Sequence, residues 1–575
     1  MDSRSAAHVL NQIGSLLKLT GAEGFKAKAY QRASRAILEL GTDDLTPLLE
    51  SGALAATPGV GPATLAVVRD LLETGTSRYL EELQADVPPG LIEMARVPGL
   101  GLAKVSLIHQ ELNLSSLDEL EEAARDGRLA ALPRFGPKTA QHVLEGIAFA
   151  RDAGGRVLYH RGLAHAVVLR EMVAKHPGVT SAFIAGDVHR HLETIGEIDI
   201  AAICTGEPAG IFHAFARAPS VTKSVRNGHQ LSLEFVDGTR LSLWCSSAEN
   251  TGFVSWLATG SVEHLAQVTS YADARGYSID ETALRRSDGT IVNLACEADF
   301  FDALALSNIP PELREGMGEV EASANDSLPD LITSEDIKGV LHCHSTYSDG
   351  ATSIAELAAA ARALGWSYLG ISDHSEAAYY AGGMSRADIV KQHDEIDELN
   401  SRSRGLRILK GIECDILPSG ELDYGDRTLD KFDYVIGSIH SQFRMSRSAM
   451  TKRVLSAMDD PRFTILGHPT GRLLLRRDGY SLDIDAIIDK AAETGVAIEL
   501  NCNPNRMDLD WRDCREARDR GVSIEIGPDA HSIAELDNVE MGVGMARKAW
   551  LSSSHVLNAQ SADHVLKRGR QRRKS

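Results

Sequence analysis

From Gly339 onward the sequence runs repeatedly through a short apolar, strand-like stretch that ends in a potential metal ligand: GVLHCH, YLGISDH, ILKGIECD, YVIGSIH, FTILGH, VAIELNCN and VSIEIGPDAH. Helical patterns such as SIAELAAAARALG and IDAIIDKAAETG separate several of them. The intervals from His344 to His374, Glu413, His440, His468, Asn501 and Asp529 are 30, 39, 27, 28, 33 and 28 residues. Seven strands at that spacing, with helices between them, predict a βα barrel. In such a barrel the C-terminal strand ends meet on one face, so these residues are expected to converge on a single site.

The pattern within the stretches supports chelation. In His342-Cys343-His344, two-residue alternation sends both imidazoles the same way and the thiol elsewhere, which makes Cys343 a packing residue. Asp529 and His531 repeat that geometry. The expected ligands are His342, His344, Asp349, His374, Glu413, His440, His468, Asp529 and His531. Nine are too many for one ion, so two or three divalent ions are expected, with Glu413 as the natural bridge. Nitrogen and oxygen donors without thiolate suit Zn²⁺, Mn²⁺ or Fe²⁺. Closely spaced ions of that kind favour phosphoester hydrolysis, with Glu413, Asp529 and His440 as its catalytic centre.

Near the other end of the chain, TPGVGPATLAVVRDLL, VPGLGLAKVSLIHQEL and LPRFGPKTAQHVLEGI form an internal repeat, each a small turn that opens an amphipathic helix. Gly59 and Gly61, Gly99 and Gly101, and Gly136 alone in the third copy, let the backbone approach a partner closely. The helix behind each turn directs free N–H groups outward, a clamp for phosphate. The repeats therefore predict sequence-independent contact with DNA through helix-hairpin-helix motifs.

The 575 residues exceed what one core accommodates, and 43% hydrophobic with 24% charged residues is an ordinary globular composition. No apolar run approaches the roughly 18 residues of a membrane span, and the N-terminus shows no secretory signal. Seven scattered cysteines without paired spacing read as reduced thiols. A cytoplasmic, nucleoid-associated monomer is expected. The net charge of −20 runs against nucleic-acid binding but does not exclude it, because basic groups can gather on one face while carboxylates line a metal site. Residues 155–310 mix β-like runs (TSAFIAG, EIDIAAIC, RLSLWC) with helical ones, and IPPELREGMGEVEASANDSLPD follows as a linker.

The series HxH, DH, E, H, GHP and DAH, with HSTYSDG, GHPTGRLLLRRDGY and ELNCNPNRMDLD around it, resembles the polymerase and histidinol phosphatase (PHP) domain fused to bacterial family X DNA polymerases. The helix-hairpin-helix repeats, IPPELREG, and the tail ARKAWL with VLN fit the same architecture, so the resemblance covers essentially the whole chain. It implies a helical N-terminal domain with the first hairpin at 1–88 and a fingers-like hairpin region at 89–152. An α+β nucleotidyltransferase-like palm and thumb would follow at 153–308, the linker at 309–337, and at 338–575 an α/β PHP domain, a distorted seven-stranded barrel with a basic tail. It also implies a DNA-repair enzyme that acts on gapped DNA or a 3′ end, with metal-dependent 3′-to-5′ exonuclease and possible abasic-site endonuclease or 3′-phosphatase activity. Arg506 and Arg476 are candidates to meet a substrate phosphate, and Asp373 is expected to support the site from behind.

The palm departs from the family pattern, which has a G-S-x-R-R stretch for triphosphate, a D-x-D strand and a third aspartate on a neighbouring strand. Here AGDVHRHLETIGEIDI puts Asp187 and His189 in the triphosphate stretch and Glu197 beside the retained Asp199, while Ser242 stands in place of the third aspartate. LATGS keeps Thr259, Gly260 and Ser261 but has Leu257 and Ala258 where the family has an aromatic pair. A serine cannot supply the charge that holds two Mg²⁺ ions, and Asp187 would repel a triphosphate, so polymerase activity is expected to be lost or weak, with Mg²⁺ at most a possibility at this degenerate site. Asp237 is the alternative third acid. Lyase activity is doubtful, since PATLAVVRDLL lacks the expected lysines and only Lys26 and Lys28 lie nearby. Two alternatives stay open: an active gap-filling polymerase, and a small-molecule phosphatase of histidinol-phosphate type. The tail KRGRQRRKS is either a DNA-attracting extension or a solvated terminus.

Overall fold

The computed structural model describes residues 3–572 apart from 20–23, 39, 43, 75–76, 98, 153, 219–220 and 236–237, so the alternative acid Asp237 lies outside the described residues. The chain divides into two compact units, Met1–Gly155 and Arg156–Ser575. No described helix is long and apolar enough to cross a membrane.

The first unit is helical. Helix Ser3–Leu19 buries Ala6, Leu10, Ile13 and Leu17, and helix Gly24–Leu38 buries Ala27, Tyr30, Ala33 and Ile37. These three- and four-residue spacings give each helix one apolar stripe, and the two stripes share one core with Leu91, Met94, Val105, Ile108 and Leu120.

The second unit begins with a five-stranded mixed sheet of β1 (Val179–Ala185), β2 (Ile198–Cys204), β3 (Val221–Asn227), β4 (Gln230–Phe235) and β5 (Arg240–Ser246), in the order β1-β2-β5-β4-β3. β2 and β5 are parallel; the other neighbours are antiparallel. Helices Thr251–Thr259, Val262–Asp273 and Glu297–Ala303 then gather around Phe253, Trp256, Phe300 and Phe301. The stretch 309–337 is a packed joint: it buries Ile309, Leu313, Val320, Leu331 and Ile332. Its carboxylates reach across to helix Asn538–Lys548 of the barrel, where Glu312 pairs with Arg547 at 2.6 Å and Glu315 with Lys548.

The barrel comprises β6 (Gly339–Val340), β7 (Tyr368–Ile371), β8 (Arg407–Asp415), β9 (Tyr434–Ser438), β10 (Ile465–Leu466), β11 (Ala497–Asn501) and β12 (Ile524–Gly527), all parallel and in sequence order. It closes just beyond β6 and β12, where Cys343 bridges Ala530 and the His344 N–H donates to the Ala530 carbonyl at 2.8 Å. The interior is packed. The Tyr434 ring crosses it and donates to the Leu341 carbonyl at 2.5 Å. A Cβ on Gly411 would lie 2.1 Å from that ring, so only glycine fits there.

The end opposite the ligands is stopped by the chain's own C-terminal segment, where Leu557, Val565 and Leu566 join Leu341, Tyr368, Leu409 and Ile465. Asn558, fully buried, accepts from the Ile526 N–H at 2.6 Å and donates to the carbonyls of Gly339 and Ile526 at 3.1 and 3.0 Å, tying β6 to β12. Arg568 of the terminal helix Ala562–Arg572 is committed to this docking through the Gly495 carbonyl and Ser523; residues 573–575 of the basic tail lie outside the described residues. Replacing Asn558 by leucine strands the buried Ile526 N–H and carbonyl, a loss of about 3 kcal/mol, and should lower the barrel's thermal transition by roughly 5–10 °C. Differential scanning calorimetry checks this, and an unmoved transition would refute the role assigned to Asn558.

Candidate metal centre

Strand closure sets the site. The backbone pairing of 342–344 with the segment around Ala530 places His342 and His344 beside Asp529, whose Oδ1 lies 3.6 Å from His342 Nε2 and 3.3 Å from His344 Nε2. Glu413, at the end of β8, occupies the middle. Its Oε2 lies 3.5 Å from His342 Nε2, 3.6 Å from His344 Nε2 and 2.9 Å from His374 Nδ1. Its Oε1 lies 3.4 Å from His440 Nε2 and 2.9 Å from His468 Nε2. Toward the solvent, Asp349 Oδ1 lies 3.6 Å from His374 Nε2 and 3.3 Å from His531 Nε2. All nine expected ligands are thus brought together.

The donor atoms fall into three overlapping groups among the described residues, each with atoms within 4.8 Å of one another: His344, Asp349, His374 and His531; His342, His344 and Asp529; His374, Glu413 and His440. His468 belongs to none of them and joins through Glu413. Buried atoms in the cluster lack hydrogen-bond partners, including His342 Nε2, both ring nitrogens of His344, His374 Nδ1 and Glu413 Oε2. Unpaired buried polar atoms are costly, and here they face one another at distances without hydrogen-bond alignment, which is how ligands around common cations are arranged.

Electrostatics tell the same story. Burial alone would raise the Glu413 carboxyl, yet His374, His440 and His342 hold it well below the usual carboxylate range. Burial opposes the charged form of His440, but Glu413 and Asp415 push it up to about 10. Burial and the neighbouring His374 push His344 down to about 4. A divalent cation would replace this balance of protons and carboxylates with its own charge.

Behind the ligands stands a layer that sequence reasoning only partly found. His342 Nδ1 donates to Glu499 at 2.5 Å, which turns Nε2 toward the cluster. Glu499 also accepts from the His468 N–H and, at 3.3 Å, from Asn501, whose amide in turn holds Asp529 Oδ2 at 3.2 Å. His440 Nδ1 donates to Asp415 at 2.6 Å. Asp373 accepts from the Ser345 N–H and from the side chains of Ser345, Ser348 and Gln392, bracing the loop behind His344. Glu499 and Asp415 each lie two residues from a residue singled out in the sequence, Asn501 and Glu413, so strand alternation carried their signal.

In the first unit the hairpin repeats share one backbone. Thr57, Val97 and Leu132 each accept from the residue three along, closing a tight turn with the left-handed residue at Gly59 (φ 99°), Gly99 (φ 83°) and Arg134 (φ 69°). Gly61, Gly101 and Gly136 then accept the first helical hydrogen bond from Leu65, Val105 and Ala140. The third copy therefore keeps the turn even though Arg134 must adopt a conformation that suits glycine. A Cβ at Gly61, Gly99, Gly101 or Gly136 would meet open space, as a surface for close approach requires, whereas at Gly59 it would press on Arg32. The Gly61 N–H is already taken by the Thr64 hydroxyl at 2.9 Å.

Comparison with known proteins decides the family. Residues 341–503 match the PHP domain, 255–315 the DNA polymerase beta thumb, 1–77 a helix-hairpin-helix domain and 91–148 a SAM-like helix-hairpin-helix tandem. The chain is 35% identical to the DNA polymerase/3′-5′ exonuclease PolX of Bacillus subtilis (strain 168), over 98% of its own length and 99% of that relative. It belongs to the bacterial family X DNA polymerases that carry a C-terminal PHP domain. The barrel is also similar to proteins named probable phosphatase: 30% identical to one from Clostridium acetobutylicum over 35% of this chain and 82% of that protein, and 27% identical to one from Acetivibrio thermocellus over 40% and 95%. The chain is thus an enzyme of this family, with hairpin and thumb modules that bind DNA and a barrel suited to divalent metal.

Measured against the family X palm, the polymerase residues are engaged with one another. β2 and β5 pair so that Ser242 stands directly opposite Asp199, and Ser242 donates to Glu197 at 2.6 Å. Trp244 donates to Asp199 at 2.9 Å, and the Asp199 carboxylate lies against Gly186, where a Cβ would come within 1.9 Å of it. Burial pushes Asp199 up to about 8 against the Trp244 hydrogen bond, with Glu197 and Asp187 adding to the rise. In the stretch read as the counterpart of the family's triphosphate segment, Arg190 pairs with Asp187 at 2.8 Å and Glu315 at 2.9 Å and donates to the Thr259 carbonyl at 2.7 Å. The retained Ser261 caps helix Val262–Asp273 through the His264 N–H.

Glu499→Gln should weaken divalent-metal affinity roughly 10- to 100-fold, because it removes the carboxylate that orients His342 and the His468 backbone. Titration calorimetry of the metal-stripped protein with Mn²⁺ measures this. Unchanged affinity would mean that the His342 geometry is held by other contacts.

Proposed function

We propose that this protein hydrolyses phosphodiesters at DNA 3′ ends on the barrel's metal cluster, as a repair exonuclease acting on gapped or recessed DNA, and that its palm transfers nucleotides weakly or not at all. The observation that carries the reading is the contrast between two acid-rich sites in one unit. The barrel directs unpaired donor atoms of His342, His344, His374 and Glu413 at common points, while Glu197, Asp199 and Arg190 of the palm are taken up by Ser242, Trp244, Asp187 and Glu315.

Two or three ions, Zn²⁺ or Mn²⁺, would be held by His342, His344, Asp349, His374, Glu413, His440, His468, Asp529 and His531. When bound, closely spaced ions of this kind supply positive charge to the attacked phosphate and acidify water near neutral pH. The chain's own residues do the rest. Glu413 offers both oxygens and spans the cluster, Glu499 and Asp415 fix which nitrogen of His342 and His440 faces it, and Asp529 anchors the opposite side. Arg506, with Nε 3.4 Å from Asp529 Oδ2, stands where it can also meet a substrate phosphate. Arg476, by contrast, contributes a backbone N–H to the Leu473 carbonyl in the turn before it. The same chemistry extends to a 3′-phosphate or an abasic site. The likeness of the barrel to probable phosphatases favours a small-molecule phosphatase as the second reading, but hairpins that bind DNA have no use for a free metabolite.

Purified protein with Mn²⁺ should shorten the 3′ ends of labelled DNA, and His342→Ala should reduce the rate by at least a hundredfold. Equal rates for the two proteins, or hydrolysis of histidinol phosphate without release of nucleotides from DNA, would overturn the proposal. Primer extension on gapped DNA with all four nucleotides should stay at background in His342→Ala protein, where products are protected from trimming. Extension that disappears on adding Asp199→Ala would show the palm to be active.

A further inference from the structure

We infer that Tyr379 and Tyr380 form a stacking platform for the unpaired 3′-terminal nucleobase of a DNA strand whose last phosphodiester lies at the metal cluster. The inference rests on the nuclease reading above and names the part of the substrate that the site recognises beyond phosphate.

Among the described residues, the large exposed aromatic side chains are Phe25, in the other unit, and the adjacent pair Tyr379 and Tyr380, 86% and 61% exposed. Aromatic surface left in water is unfavourable, and its concentration at one place calls for a partner. The place is the rim of the cluster. The Tyr380 ring centroid lies 6.3 Å from that of His374 and 6.2 Å from that of His440, and Tyr379 meets Tyr380 edge to face at 6.3 Å. Tyr380 thus stands between the ligands and Tyr379, one ring further out, as a base stands one sugar away from the phosphate that precedes it.

The platform is fixed in advance. The loop that carries it is pinned at its neck, where the Met384 N–H donates to the His374 carbonyl at 2.9 Å and a Cβ on Gly383 would lie 2.0 Å from the Ser375 carbonyl oxygen. Along the loop the Ala377 N–H donates to Asp423 at 2.7 Å and the Glu376 N–H to Tyr424 at 3.1 Å. A loop held this way gives up little backbone freedom when a base stacks on its rings. Every nucleobase offers a π face, so such a platform grips any sequence but requires an unpaired end.

The test uses the full chain with Mn²⁺ and 5′-labelled single-stranded oligonucleotides that end in either thymidine or a tetrahydrofuran abasic residue. At concentrations below KM, the unsubstituted protein should release the base-bearing residue roughly tenfold faster than the abasic one. Tyr379→Ala should bring that ratio close to one, mainly through KM, and Tyr379→Trp should preserve it. Metal content of each variant, measured in parallel, separates loss of stacking from damage to the cluster. A ratio that survives Tyr379→Ala overturns the platform while the nuclease reading stands. Release from neither end by the unsubstituted protein overturns the nuclease reading and the platform with it.

Discussion

The barrel closes through the two segments that carry its ligands. Pairing of Cys343 with Ala530 joins the first strand to the last, and the same hydrogen bonds set His342 and His344 against Asp529 and His531. Site assembly and fold completion are therefore one event, and a chain that fails to close has neither. Asn558 ties the same two strands at the opposite end, so the closing seam is held above by ligand-bearing backbone and below by a buried amide. The short first strand, only Gly339–Val340, depends on both.

Closing this seam concentrates charge. Glu413, Asp529 and Glu499 are buried within reach of the cluster's imidazoles, and an isolated carboxylate in that position would cost several kcal/mol. Protonated histidines offset part of that cost: Glu413 and Asp415 raise His440, and Asp349 and Asp529 raise His531 to about 9 against burial. A divalent cation has to displace those protons, so affinity should rise with pH, and the carboxylates of Glu499 and Asp415 keep the vacated nitrogens correctly aimed.

Much of the barrel could be read in the sequence because its two governing periods are local. Two-residue alternation within His342–His344, and recurrence of ligand types at strand ends, survive without any knowledge of tertiary contacts. Ser242 came from the family pattern instead, and in the strand register it stands opposite Asp199. What was not legible depends on partners distant in sequence. Asn558 looks like an ordinary tail residue until β6 and β12 are placed on either side of it, and 309–337 reads as a polar connector although its apolar residues and carboxylates are divided between the two folds it joins. Arg134 stands where the first two copies have Gly59 and Gly99, yet the third turn, read from the repeat, keeps the same left-handed backbone.

The same contrast between local count and spatial arrangement resolves the tension between a net charge of −20 and a family that handles DNA. Buried acids such as Asp373, Asp415, Glu413, Glu499, Asp508, Glu525 and Asp529 enter that total while facing imidazoles, backbone amides or buried side-chain donors rather than an approaching phosphate backbone. Glu525 is pushed up to about 8 by burial and by Glu499, so it carries little charge at neutral pH. The hairpin turns, for their part, need no net charge: the amides of helix starts behind Gly61, Gly101 and Gly136 would offer partial positive charge that acts over the length of a hydrogen bond. An acidic chain can therefore carry hairpin and thumb modules that bind DNA, because these acids are spent inside the fold and not on the surface that a phosphate backbone approaches.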